Sequence, residues 1–483
     1  MKKKLTSTLL LTAMLASLAA CGEASGVSDE TTTGTDSADA VTTDNRIPDD
    51  LPEEDFGGYN FRFFTWGSAG ERYVPDSENG DIVNDAVYRR NRVVEERFNV
   101  TLSYVDSGAA NVTEMDKAVE RTIMAGDEAF DLILNVAKHQ TGQSLSGMFV
   151  NLYDLEYLDF SKPWWSAQLV EDLSFNGKLF VSSSNMHYDE FAQTKVFFFN
   201  KDLIDSYKLE SPYSLVSSGA WTLDKMIAMT KDIYEDKNGN SERDESDVYG
   251  LLTTQTHNAW SVALNIPEWE KTGDKIELVA LSDKMVSAFD KIFDWNNSSD
   301  GVYAFENGAF LNEIRTMFIG GNGLFAFGTI SDAANHYRDA DVEYGIVPFP
   351  KYDENQENYR AFYAANGGHM FSVPKFASDL DRTGIIIEAL SAEGYYTLIP
   401  VYYETALKNK YLRDEESVAM LDIITASRTI SFSYCYDNYE NGLGFGNAWA
   451  KDAFYESYAT FYATRENGAK ARIAAVVEAF TKE

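Results

Sequence analysis

Twelve consecutive residues, Asp236-Lys237-Asn238-Gly239-Asn240-Ser241-Glu242-Arg243-Asp244-Glu245-Ser246-Asp247, carry oxygen side chains at loop positions 1, 3, 5, 9 and 12. The Glu242 carbonyl is available at position 7. This is EF-hand-like spacing, and it nominates Asp236, Asn238, Asn240, Glu242, Asp244 and Asp247 as ligands of a structural Ca²⁺. Ser241 stands where that loop uses glycine, and Asp247 where it uses a bidentate glutamate. An acidic, solvated turn has the same composition, so both readings stand. No other cofactor is required by any motif in the chain.

The Cys21 thiol is a second group whose chemistry is legible. The chain opens Met1-Lys2-Lys3-Lys4, runs apolar from Leu9 to Ala20, and reads Leu18-Ala19-Ala20-Cys21-Gly22. The apolar run is shorter than the roughly 20 residues of a permanent span, and small residues precede the cysteine where a signal is cut. This is the pattern of a bacterial lipoprotein signal peptide. Residues 1–20 are expected to be removed, and Cys21 to take a diacylglycerol and a further acyl chain such as palmitate. The expected address is the extracytoplasmic face of the cell membrane, with a Gram-positive cell in view. Residues 21–50, rich in Ser, Thr, Gly, Ala and Asp, read as a disordered tether, with the folded body starting at Leu51. Cys435, the other cysteine, then has no intrachain partner and reads as a buried small hydrophobe.

Enzyme signatures are sparse. Gly-x-Ser-x-Gly, His-Glu-x-x-His and the Walker loop are all missing. Gly321-Asn322-Gly323-Leu324-Phe325-Ala326 fits Gly-x-Gly-x-x-Ala but lies far from the first strand, and it reads as a backbone loop near a cleft. Among 76 acidic residues, a pair of carboxylates spaced for glycoside hydrolysis decides nothing. The formal net charge of −35 excludes nucleic acid as a partner and argues more weakly against polyanionic substrates.

The elements that must hold these groups follow from hydrophobic period. Tyr59-Asn60-Phe61-Arg62-Phe63-Phe64-Thr65 is an aromatic strand ending at Trp66-Gly67-Ser68. Val83, Val87, Val94 and Phe98 lie on one stripe and predict a helix over Ile82–Phe98. Val100, Leu102 and Tyr104 alternate as a second strand, and Met115, Val119 and Ile123 mark a second helix. The run 130–136 reads as a strand buried on both faces, so a parallel sheet covered by helices is expected. The pattern restarts at Lys195-Val196-Phe197-Phe198-Phe199, with a helix capped by Thr222 and strands at Tyr344–Val347 and near Met370. Ile473, Val476, Val477 and Phe480 predict a closing helix. Ligands of open α/β sheets sit beyond the carboxyl ends of the strands, which nominates Trp66–Gly70 and Lys138-His139-Gln140.

Four motifs in this order carry a resemblance: Gly126-Asp127-Glu128-Ala129-Phe130-Asp131-Leu132, Phe198-Phe199-Asn200-Lys201-Asp202-Leu203, Trp221-Thr222-Leu223-Asp224-Lys225, and Tyr344-Gly345-Ile346-Val347-Pro348-Phe349-Pro350-Lys351. Together, behind a lipoprotein signal, they resemble the family 1 extracellular solute-binding proteins of ABC importers, over residues 56–483. The resemblance is nearest to a subgroup matching 348–422. It implies an α/β, two-lobed, periplasmic-binding-protein-like fold of type II. Each lobe would be a mixed, mostly parallel sheet covered by helices, and a hinge would join them. Lobe 1 is expected over 51–190 with 366–412, and lobe 2 over 191–365 with 413–483. By analogy the chain crosses near 182–194 and returns near 366–370. The implied partners are a small-molecule solute, an oligosaccharide in the family's usual manner, and ABC permease subunits. The implied protein is a monomer, held to the membrane by its lipid, and not an enzyme.

A sugar offers hydroxyls at its edge and C–H groups on its face, so its binder needs flat aromatics and paired hydrogen-bonding groups. On that basis Trp66, Trp260 and Trp449 are the aromatic candidates among eight tryptophans. His139, Asn185, His187 and Asn366, with Lys138, are the polar ones. Trp221 reads as structural, and Trp164-Trp165 is ambiguous. A peptide or another polar solute remains the alternative ligand. A surface-anchored glycoside hydrolase, and a sensor feeding a membrane kinase, remain the alternative functions.

Overall fold

Phe61, Phe63 and Phe64 are buried along β1 (Tyr59–Thr65), the strand on which the first sheet is built. The structure is a computed structural model that describes residues 46–254, 258–305, 311–365, 367–412, 414–437 and 457–482. Cys21, Asn366 and Trp449 lie outside the described residues. β2 (Val100–Asp106) runs parallel to β1 in a register from Tyr59↔Val100 to Thr65↔Asp106. β3 (Leu132–Val136) runs parallel on the other side, with Phe63 opposite Leu132. The two linking helices, Ile82–Phe98 and Val112–Ala125, begin where the side chains of Asp81 and Asn111 accept backbone N–H groups. They end at left-handed Asn99 (φ 48°) and Gly126 (φ 70°).

The second sheet collects β4 (Lys195–Asn200), β5 (Tyr234–Glu235), β6 (Val248–Thr254), β9 (Val302–Phe305), β10 (Gly323–Thr329) and β11 (Tyr344–Val347). Its order is β11-β4-β10-β6-β5, with β9 also on β6. β6 pairs in parallel with β9 and β10, whereas β4 runs antiparallel to β10 and β11, and β5 antiparallel to β6. β6, β9, β10 and β11 thus share one direction, with β4 and the short β5 running against them, so this sheet too is mixed and mostly parallel. Phe197, Phe198 and Phe199 fill its core, and Trp221 is buried there with its indole N–H on the Pro348 carbonyl at 2.9 Å. A hairpin of β7 (Trp269–Thr272) and β8 (Lys275–Leu278) stands apart from this sheet.

Two stretches join the two sheets. The chain leaves the first through 182–194 and returns through 363–371, and these stretches bond to each other antiparallel at Ser182↔Phe371 and Thr194↔Tyr363. The return becomes β13 (His369–Ser372), antiparallel to β3, giving the order β13-β3-β1-β2. Just before it, β12 (Ala361–Phe362) pairs in parallel with β14 (Arg428–Thr429). The Leu380–Pro400 helix packs onto the first crossing at Gly394, where an added Cβ would strike the Asn185 carbonyl. Pro400 withdraws one N–H from the α ladder, and the chain goes on in wider π turns over Val401–Tyr411. The Tyr458–Thr481 helix buries Ile473, Val476 and Phe480.

The compact body starts at Pro48, slightly earlier than composition indicated. Arg97 holds Asp49, and Lys162 holds both Asp50 and the Pro48 carbonyl, so charge pairs fix residues that composition alone assigns to the tether.

Candidate functional site

The carboxyl edge of the first sheet gathers polar side chains from β1, β3 and both crossings. After β1 the chain passes Trp66 and turns into the short Ala69–Tyr73 helix, which presents Arg72 and Tyr73. The Asp189 carboxylate on the first crossing accepts from Arg72 Nη1 at 3.5 Å, from Tyr73 Oη at 3.5 Å and from the His369 N–H at 3.1 Å. The Asp189 N–H donates to His187 Nδ1 at 3.2 Å, and the His187 ring stacks between Tyr73 and Tyr188. Burial pushes both imidazoles toward the neutral form, His187 below its ordinary value and His369 down to about 4, with Asp189 opposing. Burial would raise Asp189 itself, but His187, Arg72 and His369 around it hold its carboxyl well below the usual range. One residue on, the buried Glu190 lies 3.7 Å from Arg428 of β14, whose guanidinium covers the Phe191 ring at 3.9 Å.

The edge continues along β3. The Ala137–Ser144 helix follows that strand directly, and its first two N–H groups, on Ala137 and Lys138, bond to the Gly368 and Ala365 carbonyls of the return crossing. Beside it opens a cavity of about 650 Å³ lined by Asp116 and Glu120 of the Val112–Ala125 helix, by Lys138, His139 and Gln143, and by Cys435, Asp437 and Arg472. Asp116 receives His139 Nδ1 at 2.6 Å on one oxygen and Asn135 Nδ2 at 3.1 Å on the other. Lys138 Nζ lies 4.2 Å from the centre of the Tyr434 ring, and Arg472 Nε donates to the Tyr436 carbonyl at 2.6 Å. Burial pushes the Cys435 thiol up, the opposite of what a nucleophilic cysteine needs. Such a lining can hold and orient a polar solute by hydrogen bonds.

The nominated residues fall in different surroundings. His139 lines the cavity, as the strand-end rule expects. His187 sits in the Asp189 cluster, and Asn185 lies against Gly394, its N–H on the Trp164 carbonyl at 3.0 Å. Trp66 is half-buried against the core, and its indole N–H has no hydrogen-bond partner. Trp260, 1% exposed, packs among Phe197, Trp295 and Phe349 in the second core. Trp164 and Trp165 both donate to the buried Glu388, at 2.7 and 3.0 Å, and are structural.

Among the described residues, no group of three or more His, Cys, Asp or Glu is arranged to hold a metal ion. In the 236–247 loop the oxygens serve the loop itself. Asp236 accepts from the Gly239 and Ser241 N–H groups, Asp244 from Asn238 and Asn240 Nδ2, and the buried Asp247 from Tyr234 Oη and the Lys237 and Asp244 N–H groups. Glu242 donates its N–H to Asn240 Oδ1, closing the turn. The Gly321–Gly323 turn adjoins this loop through Asn322, at the opposite end of β10 from Thr329, which pairs with Lys195 where β4 leaves the crossing. It is therefore remote from the crossings, contrary to its reading as a cleft loop.

Sequence reasoning missed Arg72, Asp116, Asp189, Arg428 and Arg472. Arg72 lies two residues past the nominated Trp66–Gly70 stretch, so a wider window finds it. Asp116 meets its partners only through tertiary contacts and carries no local signal, and Asp189 has one local partner, His187, its others being distant in sequence.

No family model and no curated protein matches this chain. Solved structures do. An ABC substrate-binding protein of Listeria monocytogenes in complex with cycloalternan superposes with a TM-score of 0.53 at 12% identity, over 84% of this chain and 99% of its own. UgpB of Mycobacterium tuberculosis in complex with glycerophosphocholine gives 0.55 at 14% identity, over 86% and 99%. The galacto-N-biose-/lacto-N-biose I-binding protein of the ABC transporter of Bifidobacterium longum, in complex with lacto-N-biose, gives 0.53 at 13%, over 88% and 98%. The chain has the two-lobed α/β fold of these substrate-binding proteins.

Proposed function

We propose that this protein is a capture subunit that closes two lobes on an oligosaccharide and delivers it to the permease of an ABC importer. The pair of antiparallel crossings, Ser182↔Phe371 and Thr194↔Tyr363, carries this reading. Two crossings side by side form a hinge on which one lobe can rotate against the other. The lobes are read as 51–190 with 366–412 and 191–365 with 413–483. Saccharides in two of the neighbouring structures, cycloalternan and lacto-N-biose, support the solute class. The Cys21 signal supports a lipid anchor on the extracytoplasmic face, with 21–47 as the tether. The protein works as a monomer, without catalysis and without a required cofactor. The 236–247 loop is read as a self-capped turn rather than a Ca²⁺ site.

Thermal unfolding against a panel of oligosaccharides, peptides and small acids tests the reading. A ligand at 100 times its dissociation constant stabilises by about 2.7 kcal/mol, a clear rise in Tm. An oligosaccharide is expected to give that rise. A rise from peptides alone overturns the solute class, and turnover of chromogenic glycosides overturns the binding-only reading.

A further inference from the structure

Glu190, one residue past Asp189 on the first crossing, is a buried charge that its surroundings leave unbonded. Its side chain is 1% exposed and that of Arg428 on β14 is 12% exposed. Arg428 Nη2 lies 3.7 Å from Glu190 Oε2, beyond hydrogen-bond reach. Both carboxylate oxygens of Glu190, and the Nε and Nη1 of Arg428, are buried with no hydrogen-bond partner. Burial pushes the Glu190 carboxyl up, with Arg428 and Ser183 opposing, and the Arg428 guanidinium down, with Glu190 opposing. Other buried carboxylates are bonded. Asp332 takes Arg315 Nη2 at 2.8 Å and the Thr329 N–H at 2.8 Å, and Glu388 takes two indole N–H groups. A buried pair stopped short of bonding forfeits the attraction that offsets its desolvation. Shortening the gap by about 0.8 Å would give a charge-assisted bond.

Both crossings set the geometry of this pair. The first carries Glu190 and Phe191, and the Arg428 guanidinium covers the Phe191 ring at 3.9 Å. Arg428 itself pairs with Ala361 of β12, at the entry to the return crossing. The π turns over Val401–Tyr411 pack against the same stretch. Tyr402 stacks on Tyr188 with ring centres 4.4 Å apart, and Tyr403 lies 5.7 Å from Phe191. The Tyr403 hydroxyl donates to Asp422 at 2.6 Å, on the Glu415–Ala426 helix. π turns recur at functional sites, where a helix departs from its ordinary ladder. Sub-ångström shifts at such a junction are amplified into lobe rotation, because packed interfaces hold discrete arrangements. The pair is short of a bond by a distance of that order.

Resting on the two-lobe reading above, we propose that Glu190 and Arg428 form a latch at the crossings: unbonded in this structure, the pair bonds in a second arrangement of the lobes and so sets the balance between the two. Neither side chain needs to touch solute. Both act as positioning residues, since the apparent affinity of a solute scales with the fraction of chains already in the arrangement that binds it.

Single-molecule energy transfer on the solute-free full chain tests this, with fluorophores at the exposed positions Met124→Cys and Ile319→Cys. Glu190→Gln and Arg428→Met are each expected to deplete the same population of distances about fivefold or more. Glu190→Gln/Arg428→Met is expected to deplete it no further than either single change, because one bond is lost in all three. The double variant buries no lone charge, so it carries the same expectation if a single variant does not fold. Populations that match wild type in every variant that folds overturn the proposal, even where Tm falls, since a pair that serves stability alone moves Tm and not the distances. Singles that deplete different populations also overturn it. Adding neutral oligosaccharides to wild type is a separate arm. If none moves the populations, the saccharide-capture reading fails, while the latch is still decided by the solute-free variants.

Discussion

At the scale of single residues, burial decides which polar groups shape this protein. Glu388 is buried against two indole N–H groups, and its carboxyl is pushed up to about 7 by burial, against the pull of Trp164 and Trp165. Glu388→Ala leaves both donors unpaired inside the core, and a loss of about 2–4 kcal/mol is expected in a denaturant titration. His369 shows the opposite protonation preference. Its folded value near 4 lies below the ordinary 6.5, so between those values the unfolded chain binds more protons and acid destabilises the fold through this residue. Arg72, Asp189 and His187 surround it, and Glu388 titrates in an overlapping range with the reverse sign, so wild type alone is uninformative. The stability gap between wild type and His369→Gln is expected to narrow on going from pH 7 to pH 5. A gap that widens contradicts the buried, neutral histidine. Sequence could not reach these pairings: Trp164 and Glu388 are 224 residues apart, and nothing local marks either as the other's partner.

Elements were more legible than sites, because period and caps are local. The Ile82–Phe98 helix and β1 lie where apolar spacing puts them, and His139, nominated by the rule about strand ends, lines the cavity. The sense of β4 was not legible, since a strand buried on both faces reads alike in either direction. The acidic loop stayed open between two readings for a related reason. Its oxygen spacing is that of a metal loop, but spacing does not say whether oxygens point at a cation or at the loop's own N–H groups. EDTA is accordingly expected to leave Tm unchanged, and a fall reversed by Ca²⁺ would restore the metal reading. The β7–β8 hairpin makes a sharper element-level prediction. Lys271 Nζ donates to the carbonyls of Glu171, Asp172 and Ser174 at 2.8–2.9 Å, capping the Ala167–Leu173 helix. Lys271→Met removes all three bonds, and a loss of about 1.5–3 kcal/mol is expected from thermal unfolding.

For the whole molecule, the two-sheet body and its crossings make closure on a solute the central claim. Met124, 77% exposed on the Val112–Ala125 helix, and Ile319, 39% exposed at the end of the Leu311–Ile319 helix, belong to the two different lobes of this reading. Cys435 is buried, so it does not compete for label at engineered cysteines. The most direct test is the distance between fluorophores at Met124→Cys and Ile319→Cys, read by energy transfer while neutral oligosaccharides are added. The account predicts a saturable change in distance with a neutral oligosaccharide, reversed when the sugar is removed. A distance that stays fixed with every saccharide, or that changes only with peptides, contradicts it.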